Sequence, residues 1–164
     1  MHPTIRAGFL LGASVAAWTL LMATSGLYKH PTLLYLFWLV IPIQVGILIH
    51  FLRLSAPTTG YGRQVWTGVS ISLLGSMLIF ANSYYLTAVQ FPHYFQDLEA
   101  LGRQLMAAKG LSPDQIEAAV RAQAPMQTPR ASAFAGAIGT VVTGFITSVI
   151  AAVWLRKKSS SRIC

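Results

Sequence analysis

Acidic side chains are scarce in this sequence, and charged side chains of either sign are few. Four of the 164 residues are aspartate or glutamate, and charged residues make up 10% of the chain. An ordinary soluble domain carries roughly a quarter. All four acids lie within residues 91–130. This composition argues against an ordinary soluble domain and predicts a membrane protein with a single membrane domain, residues 1–164.

These scarcities also limit the chemistry. The one cysteine, Cys164, cannot form a disulfide within the chain or build a cysteine-based metal site. No apolar run contains an acid, although intramembrane proteases and proton-coupled transporters normally need ionisable groups at depth. Asp97 and Glu99 are two residues apart, which places them on different faces of a helix. We therefore expect a protein that is not an enzyme.

Four long apolar runs occupy most of the chain. Each is long enough to cross a bilayer as a helix, so we predict an all-α membrane protein with four transmembrane helices. The predicted spans are residues 7–27, 32–54, 67–89 and 131–155. A cleaved signal peptide is an alternative interpretation of the first run, because Arg6 precedes it and small residues end it. The length of the run favours a spanning helix.

Residues 91–130, between the third and fourth runs, predict an amphipathic two-helix insertion. Apolar residues recur at helical spacing through residues 92–109, and Gly110 is placed to end that helix. Ser112 and Gln115 have the spacing of a capping box, which begins a second helix. The apolar positions either cap the bundle or form a candidate partner surface. They are Leu98, Leu101, Leu105 and Ile116.

Small residues recur every four positions in the first, third and last predicted spans. In the third span they are Gly68, Ser72 and Ser76. In the first span they include Gly8 and Gly12. In the last span they form one continuous row, namely Ser132, Gly136, Thr140, Gly144, Ser148 and Ala152. This spacing lets two helix backbones approach closely in lipid. We expect these faces to pack against another helix, either within the chain or between chains.

A few residues inside the apolar runs depart from the pattern. Gln44 and Asn82 are expected to bond across helices, or else to line a narrow substrate path. Pro42 is expected to kink the second span near its middle. His50 is a candidate ligand for haem or a pigment. Alternatively, it bonds water or lipid headgroups near the membrane surface.

Basic residues are distributed unevenly between the two ends of the predicted spans. Seven lie in the N-terminal leader, the loop at residues 53–66 and the C-terminal tail, without any acid. The positive-inside rule therefore predicts cytoplasmic N- and C-termini and an extracytoplasmic location for residues 91–130. Trp66 and Trp154 then mark the inner interface. Because the basic residues fringe membrane spans, the net charge of +8 does not predict a nucleic acid partner.

Three stretches carry a family likeness. They are Phe91-Pro92-His93-Tyr94-Phe95, Leu111-Ser112-Pro113-Asp114-Gln115-Ile116-Glu117, and the pattern of Gly139, Gly144 and Ser148 in the last run. With them, nearly the whole chain resembles a bacterial four-helix membrane family that is catalogued only as a domain of unknown function. The resemblance implies the four-helix topology and includes the first run in the domain. It implies no activity.

These observations favour a non-catalytic accessory or assembly subunit of a larger membrane complex in the bacterial inner membrane. Its expected partners are the lipid bilayer and other membrane protein subunits. A small transporter or channel, through Gln44 and Asn82, is one alternative. A pigment- or haem-associated subunit of a photosynthetic or respiratory complex, through His50, is another. No motif requires a cofactor, although a bound lipid or pigment is compatible with the apolar spans.

Overall fold

The computed structural model describes residues 3–56 and 59–160, so Cys164 and both extreme ends of the chain lie outside it. Its six α-helices are α1 (Pro3–Thr24), α2 (Val40–Ser55), α3 (Tyr61–Tyr85), α4 (Tyr94–Ala108), α5 (Pro113–Gln123) and α6 (Pro129–Ser160). Short 3-10 helices cover Leu27–Lys29, Leu33–Leu39 and Ala124–Met126, and a π-helical turn at Leu86–Gln90 extends α3. Over these residues the fold is all-helical, without strands.

Four helical segments are long and apolar enough to cross a membrane, which confirms the predicted number of spans. They are Pro3–Thr24, Tyr35–Ser55, Tyr61–Gln90 and Pro129–Leu155. The boundaries differ from the predicted ones, and the third span begins at Tyr61 instead of residue 67. The reason is local: Gly60 is extended (φ −71°, ψ 167°), whereas the polar residues after it are compatible with a helix.

The second span is irregular near its start, just before Pro42, and the kink expected at that residue stays a prediction. Leu33–Leu39 form a 3-10 helix, and regular α2 begins at Val40. Pro42 therefore lies in the first turn of α2, directly after the 3-10 helix. Its ring crowds the carbonyl four residues earlier, at Trp38, so the irregular geometry precedes the proline.

Helix α3 lies at the centre of the bundle, with α1 packed parallel to it and α6 packed antiparallel. The core cluster comprises Ala7, Leu11, Val15, Leu48, Ile71 and Ile79. Large apolar side chains also cover the outward faces, among them Phe9, Met77 and Ile150. An apolar exterior of this kind is expected for helices surrounded by lipid tails, which are as apolar as the side chains of the core.

Glycines permit the close approach of α1 to α3. A Cβ atom on Gly8 would stand 2.6 Å from the Cβ of Leu74, and one on Gly12 would stand 2.9 Å from the Gly75 carbonyl oxygen. Real Cβ atoms do not come this close to such atoms, so a side chain at either position would force the two helices apart.

Two glycine–serine pairs bring α3 and α6 equally close. Gly144 of α6 faces Ser72 of α3, and Gly68 of α3 faces Ser148 of α6. All four residues are buried. This part of the small-residue row of α6 therefore packs within the chain. Gly136 differs, because a Cβ there would meet only Ile79, at 3.9 Å.

Helices α4 and α5 form the predicted pair between α3 and α6. Gly110 ends α4 in the left-handed conformation (φ 80°), which a residue without a Cβ adopts without strain. The Ser112 side chain accepts a hydrogen bond from the Gln115 N–H, and the Gln115 side chain accepts one from the Ser112 N–H. The predicted capping box is thus present. Arg103 joins the two helices, with its guanidinium 3.0 Å from Glu99 and 2.9 Å from Glu117.

Candidate functional site

Four residues attach α4 to the loop that follows α1. The Tyr28 hydroxyl donates to Asp97 Oδ2 at 3.0 Å, and Lys29 Nζ lies 2.8 Å from the same oxygen. The rings of Tyr28 and Tyr94 lie 4.8 Å apart, centroid to centroid. We call Tyr28, Lys29, Tyr94 and Asp97 the tyrosine clamp. It joins segments 69 residues apart in sequence and holds the α4–α5 pair at one end of the bundle.

The clamp changes the proton affinity of its members. The Lys29 ammonium, followed by the Tyr28 hydroxyl, holds the pKa of the Asp97 carboxyl below its usual value of 3.8. The hydrogen bond to Asp97 raises the pKa of Lys29 above 10.5. Burial raises the pKa of Tyr94 above 10.0. The ion pair is therefore formed throughout the neutral pH range.

We expect acid to loosen the clamp. Since the pKa of Asp97 is lower in the folded protein than in the unfolded chain, its contribution to stability is complete above about pH 4. The contribution is lost as the pH falls through the folded pKa. The melting temperature in detergent should therefore drop slightly more between pH 6 and pH 3 in the wild type than in Asp97→Asn. Parallel pH profiles for the two proteins would contradict the expected role of Asp97.

A cavity of about 320 Å³ opens beneath the clamp, between α1, α2, α3 and α6. Tyr28 and Tyr94 belong to its lining, so we call it the tyrosine cavity. Its deeper walls include Val15, Met22, Ile79 and Leu86. Its volume lies at the lower end of the range for small-molecule sites, about 300–1,000 Å³.

The tyrosine cavity presents few free polar groups, although hydroxyl side chains line it. Thr87 and Thr140 donate to carbonyls of their own helices, at 2.8 and 2.9 Å. Thr19 donates to the Ala16 carbonyl. Gly136 lies in this wall, where α6 stands away from α3. The cavity therefore suits a ligand that is mostly apolar.

A second cavity, of about 600 Å³, lies at the opposite end of the bundle. Arg6 of α1, His50 of α2 and Arg63 of α3 line it, and we call it the arginine cavity. Phe51, Leu54 and Ile71 supply apolar wall. His50 is exposed, and its ring meets that of Phe51 edge-on at 5.4 Å.

The two amides that the sequence singled out inside the apolar runs, Gln44 and Asn82, both bond to neighbouring helices. Gln44 is 2% exposed, and its Nε2 donates to the Thr140 carbonyl at 2.6 Å. Asn82 Nδ2 donates to Thr19 Oγ1 at 3.0 Å. The first bond joins α2 to α6 and the second joins α3 to α1. These are the geometries expected of cross-helix hydrogen bonds in lipid.

The apolar positions of α4 and α5 are not equally accessible. Leu98, Leu105 and Ile116 are half-buried, whereas Leu101 is 6% exposed. Leu101 must therefore be removed from the candidate partner surface, because its own fold covers it. Within residues 3–56 and 59–160, no group of three or more histidine, cysteine or acidic side chains is arranged to hold a metal ion.

A family model described as Protein of unknown function (DUF4199) matches residues 6–157. The chain belongs to this family. The match begins in α1 and ends in α6, so the tyrosine clamp and both glycine-lined interfaces of α3 lie within the family domain. No curated protein matches the chain, and no solved structure does. The family description attaches no activity.

Proposed function

We propose that this chain is a non-catalytic accessory or assembly subunit of a larger protein complex in the bacterial inner membrane. The observation that carries the proposal is that several charged and amide side chains bond to other groups of the same chain. Asp97, Glu99 and Glu117 form ion pairs within the fold, and the buried amides join neighbouring helices. Groups already held in this way stabilise one arrangement of helices and are poorly placed for acid–base chemistry.

The proposal includes an orientation. Both termini and the arginine cavity face the cytoplasm, and residues 91–130 form an extracytoplasmic helix pair. The asymmetry of lysine and arginine supports this assignment. The exposed Trp66 and Trp154 lie at the same end of the spans as the arginine cavity, as expected for an interfacial aromatic belt.

The α4–α5 pair is the surface that we assign to a partner subunit. The tyrosine clamp fixes α4 to the bundle, and Arg103 fixes α5 to α4. A surface held in place loses little conformational entropy on binding. Met126, just beyond α5, is 61% exposed and supplies an apolar contact at its edge.

Native purification in mild detergent tests this proposal. We expect the chain to be recovered with another membrane protein in a fixed ratio. Met126→Asp should weaken that association at least tenfold, because truncating or charging an interface anchor costs about 1–2 kcal/mol. Thr32→Asp, an exposed position in the loop between α1 and α2 and outside the α4–α5 pair, serves as the matched control and should have little effect. Recovery of the wild-type chain alone would overturn the proposal.

The two alternatives have less support from the structure. A transporter path along Gln44 and Asn82 would need their amides free, whereas each is bonded to another helix. A pigment or haem on His50 would share its cavity with two arginines. That surrounding favours an anion over a metal ion.

A further inference from the structure

The arginine cavity gathers nitrogen-bearing side chains from three helices. Arg6 comes from the first turn of α1, His50 from the last turns of α2, and Arg63 from the first turn of α3. Arginine presents a planar fork of donors that matches a phosphate group. These three side chains come from separate helices and line one recess. Basic residues along a single helix would form a surface stripe instead.

Among the residues that the structure describes, no aspartate or glutamate lines this recess. The four acids lie between residues 97 and 117, at the end of the bundle where the tyrosine clamp is found. Among residues 3–56 and 59–155, Arg6 and Arg63 take part in none of the ion pairs. An anion bound at these two guanidinium groups would supply a counter-charge.

The start of α3 adds to the same field. This 25-residue helix begins at Tyr61, and no side chain caps its first N–H groups. The N-terminus of a long helix carries a partial positive charge and free donors, both of which favour anions. Arg63 and Thr67 belong to the first two turns of this helix, and both line the cavity.

The remaining wall is apolar and defines the rest of the ligand. Ile71 is buried, Phe51 is half-buried, and Leu54 is exposed at the edge of α2. The cavity lining thus combines cationic and apolar side chains. Its volume of about 600 Å³ is larger than a free inorganic anion needs and falls in the range of small-molecule sites. An anionic headgroup joined to an acyl chain has this distribution of charge and apolar surface.

We propose that the arginine cavity binds an anionic phospholipid, with its phosphate at Arg6 and Arg63 and an acyl chain along Phe51, Leu54 and Ile71. Basic recesses between spanning helices are suited to such headgroups. This inference is independent of the proposed subunit role, because a lipid can occupy the cavity with or without a partner protein.

The test uses the purified full chain in a neutral detergent. Phosphatidylglycerol and phosphatidylcholine with identical acyl chains are titrated separately, and bound lipid is counted by native mass spectrometry. We expect phosphatidylglycerol to bind at least tenfold more tightly. The double variant Arg6→Gln/Arg63→Gln should reduce its affinity to that of phosphatidylcholine. Arg130→Gln, an exposed arginine at the other end of the bundle, is the matched control and should leave the affinity unchanged.

Three results would overturn the proposal. The first is equal affinity for the two lipids in the wild type. The second is undiminished binding of phosphatidylglycerol by the double variant, whose fold is checked by its melting temperature in phosphatidylcholine. The third concerns the source of the phosphate group. If inorganic phosphate in large excess displaces the lipid and raises the melting temperature as much as the lipid does, the site binds a free anion.

Discussion

Gly144→Ala will destabilise the helix bundle by about 1–3 kcal/mol, the usual cost of forcing extra volume into a packed core. The added methyl group would overlap the Cβ and Oγ atoms of Ser72. The Cβ of Ser72 cannot rotate away, because it is fixed to the α3 backbone. The two helices must therefore separate along an interface that buries Ser148 as well. Reversible unfolding in mixed micelles measures the loss.

Two further variants show whether this contact is the cause. A Cβ on Gly139, in the same helix, has no neighbour within 4 Å, so Gly139→Ala should be neutral or slightly stabilising through helix propensity. Adding Ser72→Gly to Gly144→Ala removes the atoms that the methyl group meets. The double variant should recover much of the lost stability, with a coupling free energy of about 0.5–3 kcal/mol. Additive effects would show that the two residues do not meet.

Tyr28→Ala will release the α4–α5 pair from the bundle. Tyr28 is 4% exposed, packs against Tyr94 with the two rings tilted by 40°, and lines the tyrosine cavity. Truncating a buried aromatic side chain costs about 3–5 kcal/mol. If the whole loss weakens the attachment of α4 to the bundle, local opening should become roughly 100- to 4,000-fold more frequent. Limited trypsin digestion measures this opening, because cleavage at Lys109 and Arg121 follows the population of the open state.

The conservative variant separates packing from hydrogen bonding. Tyr28→Phe keeps the ring against Tyr94 and loses only the hydroxyl that donates to Asp97. Lys29 remains beside that carboxylate, so cleavage should rise only a few-fold, in line with a net value of about 1 kcal/mol for one hydrogen bond. Cleavage of Tyr28→Ala at the wild-type rate would mean that the clamp does not hold α4.

Features set by nearby residues were predictable from the sequence. The four apolar runs located the spans because length and hydropathy suffice for that purpose. Ser112 and Gln115 located the start of α5 because a capping box is complete within four residues. Gly110 located the end of α4 for the same reason. The beginning of the second span was missed, since hydropathy does not distinguish a 3-10 helix from an α-helix.

Features that join distant segments were not predictable. Tyr28 and Asp97 each look like ordinary residues of a membrane boundary, and only the fold brings them together. The row of small residues in α6 gave no indication that Gly136 lines a cavity while Gly144 packs against α3. That difference depends on how far the helices diverge, which periodicity does not encode. Both cavities were absent from the sequence interpretation for the same reason.

The paired glycines and serines between α3 and α6 also fix the register of the two helices. Gly68 and Ser72 are one turn apart on α3, and Gly144 and Ser148 are one turn apart on α6. Because the helices are antiparallel, each serine fills the space left by a glycine. Sliding α6 by one turn would set Ser72 against Ser148 in one direction and Gly68 against Gly144 in the other. The first shift would make two serine side chains overlap, and the second would leave a gap between two glycines. These four small residues therefore favour a single alignment of the two helices.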